Sequence, residues 1–280
     1  MSAHIFQTFI SFFFKPAKRA KKIAVGTGIK RSRQEDANPD DLEVADVILL
    51  EENECLDATM EDSGQVVHDD AAVSGVCARA IDEMREEGVT MTPVQRQEGY
   101  SLLTKVSGLA RKVHDSATLR EALEQKISAH LPDTPTEQHT LTRRVPTRWN
   151  ADFACMRSHL LFQNAVQELT GVTSNKLGAF RLTDSQWRLA EEVCSRLLPL
   201  FDDLTRLFSH SNVPLIHEAV PMLMSLIKKL RRASLTDSLP AVSRVASRAS
   251  EIMAQKYFDL LTDECEVYII AIGTLYHFIP

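Results

Sequence analysis

The chain lacks any apolar run long enough to cross a bilayer, and its cysteines are few and scattered. A membrane-spanning helix needs about 20 consecutive apolar residues, and no stretch of the 280 residues approaches that length. The five cysteines form no Cys-x-x-Cys pair and accompany no paired histidine motif, which argues against a zinc finger and a disulfide framework. We expect a protein of a reducing intracellular compartment that spans no membrane and binds no cofactor or small-molecule substrate.

The apolar segment Ile5–Phe14 also lacks the features of a secretory signal. No basic residues precede it, positive charge follows it, and no small-residue cleavage site is evident. We interpret residues 1–14 as a structural remnant rather than a signal peptide.

Charge of one sign is missing from each of two neighbouring segments. Residues 15–33 contain no Asp or Glu, and residues 34–78 contain fourteen acidic residues but no Lys or Arg. Long blocks of like charge with few aromatic residues bury too little surface to offset the entropy of the chain. The composition therefore predicts disorder over 15–78, where the short apolar run Val44–Leu50 is a candidate for folding locally or on a partner.

From residue 79 onward the apolar residues recur with a helical period, and no alternating strand pattern or internal repeat is visible. One predicted helix presents an apolar face at three- and four-residue steps: Leu102, Leu103, Val106, Leu109, Ala110 and Val113. Further helices are indicated near 119–127, 150–171, 184–208, 214–232, 240–260 and 263–277, with a proline-rich loop over 131–146. The sequence predicts a mostly α fold, with an all-α helical bundle over 79–280.

Local signals predict where several of these helices begin or bend. Thr118 and Glu121 form a capping-box pattern, as do Thr183 and Gln186. Asn150 suits the position before the helix predicted over 150–171. Pro199 removes an amide donor from its helix and predicts a kink there.

The segment that leads into the helix near Asn150 reads Arg143-Arg144-Val145-Pro146-Thr147-Arg148-Trp149-Asn150. A Thr-Arg-Trp-Asn signature ahead of a long helical stretch resembles the hAT superfamily of DNA transposases. The resemblance continues through residues 105–124, 187–209 and 214–226 and through Lys256-Tyr257-Phe258. Order and spacing agree over about 170 residues, a length typical of a whole domain. The resemblance implies that the helical part corresponds to the all-α insertion domain of that family.

The resemblance also implies what is missing. Ala3-His4-Ile5 is similar to the tail of a Cys-x-x-His motif in the family's RNase H-like core, so residues 1–14 are interpreted as a remnant of that core. The BED-type zinc finger, the catalytic Asp, Asp and Glu and the dimerisation region would all be absent. Strand cleavage in that fold needs clustered carboxylates holding two divalent ions about 3.5–4 Å apart. Adjacent acidic pairs such as Glu191-Glu192 and Asp202-Asp203 diverge by about 100° on a helix. We expect no enzymatic activity and, by analogy, a monomer.

Candidate DNA-binding residues follow from the same motif. The resemblance implies that Arg143, Arg144, Arg148 and Trp149 contact DNA at transposon ends, where an indole stacks on an unpaired base for roughly 1–3 kcal/mol. The alternative is that Trp149 anchors the core at a helix start. Cys155 stands four residues before His159 on one predicted helix face, but two ligands do not make a structural zinc site, so ordinary packing is the simpler interpretation.

The basic segment resembles a bipartite nuclear localisation signal, and we expect a nuclear protein. Its cations are Lys15, Lys18, Arg19, Lys21, Lys22, Lys30, Arg31 and Arg33. The same residues are suited to contacting phosphates, or form a solvated linker. Pairing with the neighbouring acidic segment would be weak, because exposed salt bridges contribute typically about 0–1 kcal/mol.

Three interpretations remain open on the sequence. The leading one is a truncated, catalytically inactive hAT-transposase-derived protein with residual binding to transposon-end DNA. The second is a helical protein-interaction module without a nucleic-acid role, which the net charge of −6 favours. The third is a fragment of an incomplete gene model, in which the segment Ile5–Phe14 has lost its sheet partners and promotes aggregation.

Overall fold

A computed structural model describes residues 2–13, 63–135, 139–144, 149–202, 216–265 and 270. Every regular element within these residues is helical, which confirms the predicted mostly α fold. The helices are α1 (Ser2–Ile10), α2 (Ser63–Glu86), α3 (Pro93–Asp115), α4 (Ala117–His130), α5 (Trp149–Leu161), α6 (Gln163–Gly171), α7 (Asp184–Glu192), α8 (Ile216–Ser234) and α9 (Ala241–Asp263). None of these helices has the length and apolar character needed to cross a membrane.

The described helices divide into two compact units. The first contains α1, α2, α3 up to Leu102, α7, α8 and α9, and the second contains the rest of α3 with α4, α5 and α6. This division differs from the single domain predicted over 79–280. Both α1 and the beginning of α2 lie outside that range and nevertheless belong to the first unit.

The first unit is built around α9, whose small side chains allow neighbouring helices to approach closely. Ten residues between Val242 and Ala254 are buried, including Ala246, Ser247 and Ala249. α1, α2 and α8 all pack against this helix. The Ser250 hydroxyl donates a hydrogen bond to the backbone carbonyl of Ile5 at 3.2 Å, so this polar side chain helps to hold α1 against α9.

Residues 2–13 form a buried helix and turn, not an apolar segment without partners. Ile5, Phe9 and Phe13 have no exposed surface. The Phe9 ring lies 5.1 Å from the ring of Phe201 in an aromatic cluster, and the Phe6 ring meets Phe201 edge-on at 5.4 Å. The interpretation that this segment has lost its partners is therefore wrong for the described residues, because α9 and the helical residues 198–202, which include Phe201, supply them.

The disorder predicted over 15–78 is wrong for its last part, because α2 begins at Ser63. Val73, Ala80 and Met84 are buried along one side of this helix. This apolar face is hard to recognise in the sequence, because acidic residues dominate the local composition up to Asp69 and Asp70. Residues 15–62, with the basic segment and the run Val44–Leu50, lie outside the described residues.

The amphipathic pattern read from the sequence of α3 is confirmed by the burial of its residues. All six residues of the predicted face, Leu102 to Val113, are buried. Leu123 and Ile127 of α4 are fully buried as well. On the surface, Lys126 and His130 of α4 both contact the carboxylate of Glu168 on α6, at 3.1 Å and 2.8 Å.

Helix starts follow local capping, although not always at the predicted residue. At α3, Gln95 N–H donates to Thr92 Oγ1 at 3.2 Å while Thr92 N–H donates to Gln95 Oε1 at 2.9 Å, a reciprocal capping box. The cap of α4 is Ser116, whose hydroxyl accepts from the Leu119 amide at 3.4 Å. The predicted cap at Thr118 is therefore wrong by one half-turn.

Three other predictions concern helix boundaries. Asn150 is not a cap, because α5 already begins at Trp149. The helix predicted over 150–171 is divided at Phe162 into α5 and α6. Helical structure after α7 passes through a π-helical turn, Val193–Leu197, immediately before Pro199, which agrees with a disturbed ladder at the proline. The helix predicted over 263–277 lies outside the described residues except for Ile270 and the end of α9.

Candidate nucleic-acid interface

Residues 139–144, which lead towards the Arg-Trp motif, are fastened to the helices of the second unit. Leu141 is buried, and the Thr142 amide donates to the Ser158 hydroxyl of α5 at 3.0 Å. The His139 ring is buried and lies 2.9 Å from the carbonyl oxygen of Thr134, just beyond α4. We call residues 139–144 the strap. These contacts fix the direction in which the chain approaches α5.

Arg144 closes the strap against the first turn of α5. Its Nε atom lies 2.5 Å from Oδ1 of Asp152, and only 10% of the arginine side chain and 6% of the aspartate side chain are exposed. Asp152 also lies near the positive end of the helix dipole, where a carboxylate is favoured. The guanidinium is therefore engaged within the protein and is a poor candidate for a direct phosphate contact.

The other three predicted DNA-binding residues have different positions. Arg143 is half-buried in the strap next to Arg144. Trp149 is the first residue of α5, and its side chain lies outside the described part of the structure. Arg148 lies wholly outside the described residues. The structure thus brings only Arg144 of these four residues into a described contact with α5, and that contact is with Asp152.

The pair Cys155 and His159 is part of the packing of α5. The His159 ring is buried, and its Nδ1 atom lies 2.9 Å from the Cys155 carbonyl oxygen, which makes it the donor of a hydrogen bond. Burial lowers the pKa of His159 to about 4. The imidazole is therefore neutral at physiological pH. Among the described residues, no group of three or more His, Cys, Asp or Glu side chains is arranged to hold a metal ion.

Sequence reasoning did not single out Arg157, which is exposed on α5 two turns after the Arg-Trp motif. The signal was available, because Arg157 lies between the buried residues Met156 and Ser158 and must point away from them. It adds a cation to the accessible surface of the helix that begins at Trp149.

Of the two acidic pairs, Glu191 and Glu192 diverge as the helix geometry predicts. Glu191 is exposed, whereas the Glu192 carboxylate lies 3.0 Å from Nε of Arg196 one turn later. Asp203 lies outside the described residues. Comparison with known proteins adds no name to this site, since no family model, no curated protein and no solved structure matches the chain.

Proposed function

We propose that this chain is a non-catalytic, hAT-transposase-derived nuclear protein that binds DNA ends through the start of α5. The observation that supports the proposal is the strap, which Thr142 and Arg144 fasten to α5, the helix whose first residue is Trp149. A helix N-terminus suits a phosphate group, because its free backbone amides and the positive end of its dipole attract an anion. Trp149 supplies a ring for stacking on an unpaired base.

In this proposal the four residues have two roles. Arg143, Arg148 and Trp149 contact DNA, whereas Arg144 is a positioning residue that holds the strap through Asp152. Because few cations contact phosphate, we expect weak binding. The logarithm of the association constant should fall with the logarithm of the salt concentration at a slope of about −2, since each neutralised phosphate contributes roughly −0.9. The family resemblance without its catalytic carboxylates supports binding without cleavage.

The test is fluorescence-anisotropy titration of the full chain with hairpin-ended DNA over a salt series. Trp149→Ala is expected to weaken binding by about 5- to 150-fold, since stacking contributes roughly 1–3 kcal/mol. Trp149→Phe should retain part of the affinity because it keeps an aromatic face. Arg181→Gln is the matched charge control, because Arg181 is exposed in the same unit but distant in sequence from the motif.

Three outcomes would contradict the proposal. Equal affinity of the wild type and Trp149→Ala would remove the stacking role. No binding at low salt by a chain that is helical by circular dichroism would leave the alternative of a helical protein-interaction module. Magnesium-dependent nicking of a supercoiled plasmid would overturn the non-catalytic part.

Nuclear localisation is tested separately from DNA binding. Replacing the eight cations of residues 15–33 by glutamine in a fluorescently tagged chain should redistribute it from the nucleus to the whole cell. A tagged chain that stays nuclear after the replacement would show that another feature directs import.

A further inference from the structure

Helix α8 of the first unit has two chemically different faces. Its buried face includes Leu223, Leu226 and Leu230. Successive residues of a helix are about 100° apart, so five residues fall within an arc of about 100° on the opposite side. They are exposed, and they are Met224, Lys228, Arg231, Arg232 and Leu235. We call these five residues the basic face.

The two apolar residues of the basic face stand at its ends, with the cations between them. Met224 is 42% exposed and Leu235 is 56% exposed. They are eleven positions apart, which corresponds to about 16 Å along a helix. Leu235 follows the last residue of α8, but its amide still donates to the Arg231 carbonyl oxygen at 3.2 Å, so it continues the helical course. The basic face therefore combines a cationic centre with an apolar contact at each end.

The cations of the basic face form no ion pair with any residue that the structure describes. Lys228 stands three and four positions before Arg231 and Arg232, a spacing at which like charges destabilise a helix. By contrast, Arg244 and Arg248 of α9 are paired with carboxylates at 2.9 Å and 2.8 Å. The positive charge of the basic face is therefore available to an anionic partner.

Acidic side chains of the same unit are paired with other cations or stand apart from the basic face. Asp237, just beyond α8, is paired with Arg244. Arg231 also lines a groove with residues of α2 and α9, and the carboxylates of that groove are those of Glu251, Asp259, Asp263 and Glu264. Glu251 is paired with Arg248. Within the described part of the chain, none of these carboxylates forms an ion pair with Arg231.

The cations are not needed to satisfy the C-terminus of α8. The Arg231 carbonyl oxygen accepts a hydrogen bond from the Ser234 hydroxyl at 2.8 Å, and the Ser234 carbonyl oxygen accepts one from Nε of Arg244 at 2.8 Å. Attraction to the helix dipole falls off within the last turn, so Lys228 gains little from it. Repulsion without a compensating local gain indicates that this charge serves a function.

We propose that the basic face binds an acidic amphipathic helix of a partner protein. Eleven residues make about three helical turns, so a helix lying along α8 can present two apolar side chains at the spacing of Met224 and Leu235. Carboxylates between these two side chains pair with Lys228, Arg231 and Arg232. The surface lies in the first unit, whereas the proposed DNA site at the start of α5 lies in the second.

Two other anionic partners fit the basic face less well. A phosphodiester backbone matches the cations, but it leaves Met224 and Leu235 uncovered because phosphate contacts consist of charge and hydrogen bonds. An anionic membrane binds helices with a large apolar face, whereas cations separate the two apolar residues of the basic face. Apolar contacts on both sides of a cationic centre favour an acidic helix.

Fluorescence-anisotropy titration of the full chain with a synthetic, fluorescein-labelled acidic helix tests the proposal. The peptide has about 16 residues, with leucines at the spacing of Met224 and Leu235 and glutamates between them on the same face. Binding is expected at low salt and should weaken as salt is added. A triple variant carrying Lys228→Gln, Arg231→Gln and Arg232→Gln should bind about tenfold more weakly. Met224→Ser and Leu235→Ser should each weaken binding by about 3- to 10-fold.

The controls separate docking from folding and from DNA binding. Arg188→Gln is the matched charge control, because Arg188 is exposed on α7 of the same unit. The triple variant should keep the wild-type midpoint in urea, since glutamine is a good helix former and the lost repulsion offsets any lost attraction to the dipole. Trp149→Ala should leave peptide binding unchanged, so failure of this proposal and failure of the DNA site are distinguishable.

Four results would overturn the docking of an acidic helix. The first two are no binding of the peptide at low salt and equal binding by the wild type and the triple variant. The third is equal affinity for a peptide with serines in place of its leucines, which would remove the apolar contacts. The fourth is a different partner. Blunt duplex DNA that displaces the peptide and is unaffected by Met224→Ser would assign the face to nucleic acid, and sedimentation with phosphatidylserine vesicles that the triple variant loses would assign it to a membrane.

Discussion

His4 and Tyr257 form a hydrogen bond between α1 and α9, with 2.5 Å between the imidazole Nδ1 atom and the phenol oxygen. The two rings lie 6.1 Å apart between centroids at an interplanar angle of 40°. The two residues are 253 positions apart in the sequence. The contact makes the first described residues of the chain an integral part of the first unit.

Removing an aromatic side chain of α1 should therefore destabilise the first unit strongly. Phe9 is fully buried, and its ring lies 5.1 Å from those of both Phe13 and Phe201. Phe9→Ala is expected to lower the free energy of unfolding by about 3–5 kcal/mol, because it loses apolar burial and leaves a cavity. Urea denaturation followed by circular dichroism measures the change.

The control for this substitution is Val94→Ala, which truncates a side chain that is 67% exposed. Its effect should stay within about 0.5 kcal/mol, as expected for surface positions. A Phe9→Ala chain with wild-type stability would mean that α1 is not part of the folded unit in solution.

The sequence predicts α3 well and α1 poorly, for reasons that lie in their patterns. In α3, apolar residues recur at three- and four-residue steps with polar residues between them. The buried face from Leu102 to Val113 can therefore be recognised from the sequence. In α1 the apolar residues Ile5, Phe6, Phe9 and Ile10 also stand at helical spacing, but the helix is only nine residues long, and so short a pattern does not reliably distinguish a buried helix from a strand. Its partners, α9 and the helical residues 198–202, lie about two hundred positions or more away and leave no local trace.

The candidate site was predictable as a motif but not as a set of contacts. The Arg-Trp segment and the helix after it can be read from the sequence, and α5 indeed begins at Trp149. Nothing local indicates that Arg144 pairs with Asp152 eight positions later. The pairing depends on how the strap crosses α5, which its tertiary contacts through Leu141 and Thr142 determine.

Two glycines in helices of the first unit should respond oppositely to the same substitution. A Cβ atom at Gly75 in α2 would meet nothing within 4 Å, whereas one at Gly99 in α3 would lie 2.8 Å from the Phe12 carbonyl oxygen. Gly75→Ala should stabilise the unit by about 0.5–1 kcal/mol, because alanine restricts the unfolded chain. Gly99→Ala should destabilise it by about 1–3 kcal/mol through overpacking.

Each glycine variant is the control for the other, since both make the same chemical change in a helix interior. Their midpoints in urea should move in opposite directions from that of the wild type. A stabilising Gly99→Ala would contradict the close approach of the end of α1 to α3.

Breaking the ion pair of the strap should be costly, because one buried charge would lose its partner. Arg144→Gln and Asp152→Asn are each expected to lower stability by about 3–5 kcal/mol, the range for an unpaired buried charge. The double variant should cost less than the sum of the two, since it leaves no uncompensated charge. Urea denaturation of the wild type, the two single variants and the double variant forms a double-mutant cycle. The cycle gives the coupling energy between Arg144 and Asp152.

The surface pair Arg85 and Asp82 provides the matched control. These side chains are 59% and 66% exposed and lie 2.9 Å apart, so Asp82→Asn should change stability by less than about 1 kcal/mol. Additive effects of Arg144→Gln and Asp152→Asn would show that the two side chains do not interact in solution, and the positioning role of Arg144 would then fail.

The buried His159 should make the second unit sensitive to mild acid. Its pKa falls from 6.5 to about 4 in the folded chain because burial disfavours the imidazolium ion. Between these values the unfolded chain binds a proton that the folded chain does not, so stability is complete above about pH 6.5 and declines as the pH falls towards 4. Since one pKa unit corresponds to about 1.4 kcal/mol, the decline from this residue approaches about 3 kcal/mol.

His159→Leu removes this titration, so the difference in unfolding free energy between the wild type and the variant should change by about 3 kcal/mol from pH 7 to pH 4. Carboxylates that titrate in the same range are common to both chains and cancel in the difference. Ser158→Ala alters the neighbouring position of α5 but keeps the imidazole, so it should keep the wild-type pH dependence. If the difference in unfolding free energy is constant across this pH range, His159 gains a proton as readily in the folded chain as in the unfolded chain. That result would contradict the lowered pKa of the buried imidazole.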